Sequence, residues 1–70
     1  MYHNLEAEMA RNSIDVNDIA KAIDVNEKTV RNKLSGKTKF IFDETIMIKD
    51  TFFPDLDLQY LFAKDSGGDQ

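Results

Sequence analysis

One helix-start device recurs four times in this chain, and it leaves little room for anything but an all-helical fold. Each copy is an apolar residue, then Asp or Asn, then a second apolar residue five positions after the first. They are Ile14-Asp15…Ile19, Val25-Asn26…Val30, Phe42-Asp43…Met47 and Leu56-Asp57…Leu61. The side-chain oxygen accepts from orphan N–H groups of the first helical turn, and the apolar pair closes over it as a hydrophobic staple. A single match in a short chain is compatible with chance. Repetition along the whole chain is not.

Between these starts the apolar spacing is helical. Tyr2, Leu5 and Met9, with Ala10 beside them, predict a first helix that stops near Asn12-Ser13. A second helix is predicted over Val16 to Ile23, with Val16, Ile19, Ala20 and Ile23 on one face. A third covers Glu27 to Ser35, with Val30 and Leu34 inward and Gly36 in place for a left-handed cap. The fourth runs from about Glu44 to Phe52, with Ile48 and Phe52 inward and Thr45 or Ile46 alongside; Pro54 forbids its continuation. The fifth is short, about Leu58 to Ala63. The expectation is one all-α domain over residues 1–63 and a flexible polar tail over 64–70.

With 70 residues there is at most one domain, and a chain of this size buries only about 60% of its unfolded surface. No cysteine is present, which excludes disulfides and thiolate metal sites. No apolar run approaches the roughly 20 residues of a membrane span, and the N-terminus lacks a signal-peptide apolar stretch. A cytoplasmic protein is expected.

A net charge of −4 counts at first against a nucleic-acid partner, but the distribution reverses that reading. From Arg11 to Phe40 seven cations face four acids, and between Lys28 and Phe40 there are five cations and no acid. From Ile41 onward two cations face seven acids. Over a Debye length of about 10 Å the local field matters more than the total.

The two central helices are joined by Asp24, Val25 and Asn26 alone, and Ala20 is small enough to let them cross closely. Such a turn needs a residue at positive φ, and Asp24 is the expected bearer. On the third helix, Lys28, Asn32 and Ser35 point away from Val30 and Leu34, with Arg31 and Thr29 on the flanks. This face has the chemistry to read duplex DNA. Lys28 can donate to guanine O6 and N7, Asn32 can pair with adenine, and Glu27, in the first turn, can accept from cytosine N4. The loop Lys37-Thr38-Lys39, with Arg31 and Lys33, can meet backbone phosphates.

Residues 14–39 resemble the helix-turn-helix of phage repressors and Cro proteins, the lambda-repressor-like or XRE family. The resemblance rests on Asp-Ile-Ala at 18–20, Val25-Asn26, Glu-Lys-Thr-Val at 27–30 and Asn-Lys-Leu-Ser-Gly-Lys-Thr at 32–38, and the five-helix layout extends it to about Phe62. It implies a compact five-helix lambda-repressor-like bundle with a central helix-turn-helix. It also implies sequence-specific binding of double-stranded DNA by a small phage- or prophage-type transcriptional regulator, with the 27–35 helix in the major groove. Homodimers of such proteins grip paired half-sites. The positions matching Glu27, Lys28, Thr29 and Asn32 would contact bases, and the loop matching Lys37, Thr38 and Lys39 would contact phosphate. Three residues depart from the family pattern. Val16 stands where Gln is frequent, Asp24 replaces the usual turn Gly, and Lys33 stands where many members are apolar.

An enzyme is not expected: His3 is the only histidine, at the start of the chain, with no Cys or fixed carboxylate to orient it. Asp43, Glu44, Asp50, Asp55 and Asp57 do not follow a calcium-loop spacing, so no metal is expected. Nor is a cofactor or small-molecule ligand. The rival reading is a helix-turn-helix protein-interaction module, antirepressor- or antitoxin-like, that does not bind DNA; the net charge and Val16 favour it. Phe52, Phe53, Leu56, Leu58, Tyr60, Leu61 and Phe62 exceed what one small core easily hides, and the surplus is a candidate homodimer face.

Overall fold

Asp15 starts its helix by accepting the Asp18 N–H at 3.0 Å, and the Asp18 carboxylate takes the Asp15 N–H in return at 3.0 Å. Asn26 accepts from the Thr29 N–H at 2.8 Å and Asp57 from the Tyr60 N–H at 3.1 Å. The computed structural model describes residues 2–64, and within them every regular element is helical. The elements are α1 (His3–Arg11), α2 (Val16–Ile23), α3 (Glu27–Ser35), α4 (Phe42–Phe52) and α5 (Leu58–Leu61). Of the flexible tail expected over residues 64–70, all but Lys64 lies outside the described residues.

α2 is the hub. It packs on α3 and on α4, while α5 bridges α1 and α4. Ile19 and Ile23 of α2 are buried with Leu5 of α1, Val30 of α3, Ile48 of α4 and Leu61 of α5, so every element contributes to one core. Three rings close it at one side: Tyr2, Phe40 and Phe62 meet edge to face with centroids 5.4, 6.0 and 5.3 Å apart.

Backbone geometry punctuates the chain where expected and at one further place. Asp24 ends α2 at φ 60°, and Gly36 ends α3 at φ 90°. Ser13 also lies at positive φ, 58°, between α1 and α2. No sequence signal marked that residue.

α4 departs most from expectation. It begins at Phe42 rather than Glu44, so Asp43 is inside the first turn and caps nothing. Its N-terminus is served instead by Glu44, whose carboxylate takes the Ile41 N–H at 3.0 Å. The staple expected from Phe42 and Met47 does not form; they stay 69% and 44% exposed. At the other end Phe53, not Phe52, is the fully inward ring. Phe53 has left the helix, with φ −136°, because Pro54 follows it, and that turn directs its ring inward.

On α1, Glu8 is buried and Ala10 is exposed, the reverse of a purely apolar stripe. Glu8 is tolerated because its charge is met: the Tyr60 hydroxyl donates to Oε2 at 2.8 Å, and the Arg11 guanidinium pairs with the same oxygen. Asn4 adds a bond to the Tyr60 carbonyl at 2.8 Å. The short α5, ending at Leu61 rather than Ala63, is thus held on α1 by polar contacts as well as by Leu61.

Candidate nucleic-acid interface

Val30, Lys33 and Leu34 form the buried side of α3, and the opposite side carries Lys28, Asn32 and Ser35. Asn26 holds the helix start through the Thr29 N–H, so the first turn is fixed with Lys28 projecting outward. Lys28 is exposed, and Thr29 and Asn32 are half-buried at the edge of the same face. Glu27 is half-buried and pairs with Arg31 at 3.2 Å, an exposed pair one turn apart worth about 0.2–0.5 kcal/mol. That is weak enough for Arg31 to change partners when a phosphate is offered.

The Asn32 carbonyl organises the helix exit. It accepts the Lys37 N–H at 2.9 Å, the Thr38 N–H at 3.2 Å and the Ser35 hydroxyl at 3.0 Å. With Gly36 left-handed, the chain folds back over the end of α3, and Lys37, Thr38 and Lys39 are all exposed. The four expected base contacts therefore lie at the start and outer edge of one helix. The exposed cations of the loop follow directly from its other end.

Lys33 does not belong to this set. Its side chain is only 11% exposed, and its ammonium stands 3.0 Å from Glu44 Oε1 and donates to the Lys39 carbonyl at 3.0 Å. It also lies 5.8 Å from the centroid of the Phe40 ring. A phosphate cannot reach it without breaking a buried ion pair, so the expectation of a phosphate contact there is corrected. Glu44 and Phe40, which no sequence feature pairs with Lys33, are the residues that hold it in. The signal was available: at about 100° per residue Lys33 falls only about 60° from Val30, on the inward side.

Among the described residues no ion pair engages Lys28, Lys37 or Lys39, no buried side-chain polar atom lacks a partner, and no cluster of His, Cys, Asp or Glu could hold a metal ion. No helix there is long and apolar enough to cross a membrane. A cavity of about 270 Å³ opens between the end of α1 and the segment from Phe52 to Leu56; none of its lining residues belongs to the α3 face or to the loop after it. Comparison with protein-family models, with curated proteins and with solved structures returned no match.

Proposed function

We propose that this protein binds double-stranded DNA sequence-specifically, as a small phage-type transcriptional regulator of the repressor or Cro kind acting in the cytoplasm. One observation carries the reading: Lys28 and Asn32 face outward on a helix fixed at both ends, beside a loop whose Lys37 and Lys39 are exposed and form no ion pair among the described residues. A helix of this width enters the major groove, where Lys28 and Asn32 read guanine and adenine edges and Glu27 and Thr29 approach from the first turn. Arg31, Lys37, Thr38 and Lys39 take the flanking phosphates. We propose a homodimer as the binding form, since one chain supplies few phosphate contacts.

The rival reading, a protein-interaction module, is favoured by the burial of Lys33 and the pairing of Arg31, which thin the cation cluster. Selection of bound duplexes from a random pool separates the two. Enrichment of a short motif supports the DNA reading. No enrichment at low salt, with tight and salt-independent capture of a protein, supports the rival. On an enriched duplex, Lys28→Ala and Asn32→Ala should each lose about 1–3 kcal/mol of discrimination among operators. Lys37→Ala and Lys39→Ala should weaken all duplexes alike, each reducing the log–log salt slope by about 1. Parent-like binding by all four variants would remove these residues from the interface.

A further inference from the structure

Three consecutive residues at the exit of the cationic loop hang on one buried ion pair. Lys33 Nζ donates to the carbonyl of Lys39 and lies against the ring of Phe40, while Glu44 Oε1, 3.0 Å from Lys33 Nζ, takes the Ile41 N–H. The loop's beginning is held as well, by the two N–H groups that converge on the Asn32 carbonyl. Between these anchors Lys37, Thr38 and Lys39 are exposed to solvent.

Stability alone does not account for a charged pair here. Two apolar residues of similar volume are as stabilising or more so in such a position, because the pair must be stripped of water. What they lack is a donor for the Lys39 carbonyl and an acceptor for the Ile41 N–H. The pair thus contributes location, and what it locates is the loop relative to α3.

We propose that Lys33 and Glu44 are positioning residues for nucleic-acid binding: their ion pair fixes the loop so that Lys37 and Lys39 meet phosphates while the outer face of α3 lies against base edges. This rests on the DNA-binding reading above. Both residues are themselves buried away from the duplex and act through the Lys39 carbonyl, the Phe40 ring and the Ile41 N–H.

The test is the double variant Lys33→Met with Glu44→Met, which removes one cation and one acid and so leaves the net charge at −4. Its helix content and Tm should stay close to the parent's, while the Ile41 amide exchanges faster. Affinity for specific and unrelated duplexes alike should fall roughly tenfold, with the salt slope smaller by about 1 to 2. A folded double variant with the parent's affinity, slope and amide exchange overturns the proposal. If the variant does not fold, heteronuclear NMR of the parent decides. The Lys33 ammonium protons should exchange slowly enough to be seen where those of Lys28, Lys37 and Lys39 are averaged away. Equal exchange at all four lysines overturns the clamp. A parent that binds no duplex at low salt defeats the DNA reading itself, a result visible before any variant is made.

Discussion

Lys28 and Lys33 sit on the same helix, yet one ends in solvent and the other inside. The helical period separates them: Lys28 lies about 160° from Val30 and Lys33 about 60°. Charge type alone hides this difference, and only the spacing from Val30 reveals it. Their substitution should not be equivalent. Lys33→Ala leaves Glu44 buried without its cation and should cost about 3–5 kcal/mol, whereas Lys28→Ala should stay within about 0.5 kcal/mol in urea unfolding. Backbone strain gives a second residue-scale expectation. Ser13 and Asp24 carry side chains at φ 58° and 60°, where glycine is at ease. Ser13→Gly and Asp24→Gly should each raise stability by a few tenths to about 1 kcal/mol, since relief of left-handed strain outweighs the looser unfolded chain. Lower midpoints for both would contradict the assignment of strain. Asp24 was legible because the turn between its helices is so short; Ser13 sits in a polar stretch that looks like any loop.

At the scale of elements, the bounds of α2 and α3 could be read directly, because Asp15, Asn26 and Gly36 mark their ends with side chains or a backbone that only those positions use. α4 starts two residues before the place its sequence pattern predicts. The Ile41 side chain carries no acceptor, and the box is completed one-sidedly by Glu44, a residue that also serves Lys33. That double use depends on a tertiary contact and leaves no local trace. The docking of α5 on α1 is equally invisible in sequence, since Glu8 reads as a surface acid until Tyr60 is brought to it. Its chemistry predicts a pH dependence. The Tyr60 hydroxyl first, and then the Arg11 guanidinium, hold the Glu8 carboxyl below its usual value of 4.5, against the opposing effect of burial. A depressed carboxylate adds stability that is complete above that usual value and is lost as pH falls through the lower folded value. The Tm gap between the parent and Tyr60→Phe should therefore be constant near neutrality and narrow under acid, below about pH 4.5. A gap that is unchanged down to full protonation would mean that Tyr60 acts through its ring alone.

The whole molecule keeps its apolar excess in an unexpected place. Of the residues proposed from sequence as a dimer face, Phe53 and Leu61 are core, Phe52, Leu56, Leu58 and Phe62 are half-covered, and only Tyr60 is exposed. The larger uncovered side chains are Ile41 and Phe42, at 58% and 69% exposure, directly after the cationic loop. Periodicity could not find them, because a helix boundary displaced by two residues turns a staple into a surface. If the proposed homodimer forms there, Phe42→Ser should shift sedimentation toward the monomer while Tm moves by less than about 0.5 kcal/mol equivalent, as expected for an exposed site. Salt gives the companion measure. Arg31, Lys37 and Lys39 on one chain imply a slope near −2.7, and two chains on one duplex roughly double it. A slope that stays near the single-chain value, with unchanged sedimentation for Phe42→Ser, would argue for a monomer.

Tyr2, Phe40 and Phe62 come from the beginning, the middle and the end of the described chain, and each ring touches the other two. During synthesis the first pair can meet early, but Phe40 gains its second ring only after residue 62 has been added. A prematurely terminated product that stops before α5 would carry every side chain of the proposed groove-reading face. It would still lack the ring that steadies the stretch beside Lys39, and it would lose Tyr60 from Glu8 at the same stroke.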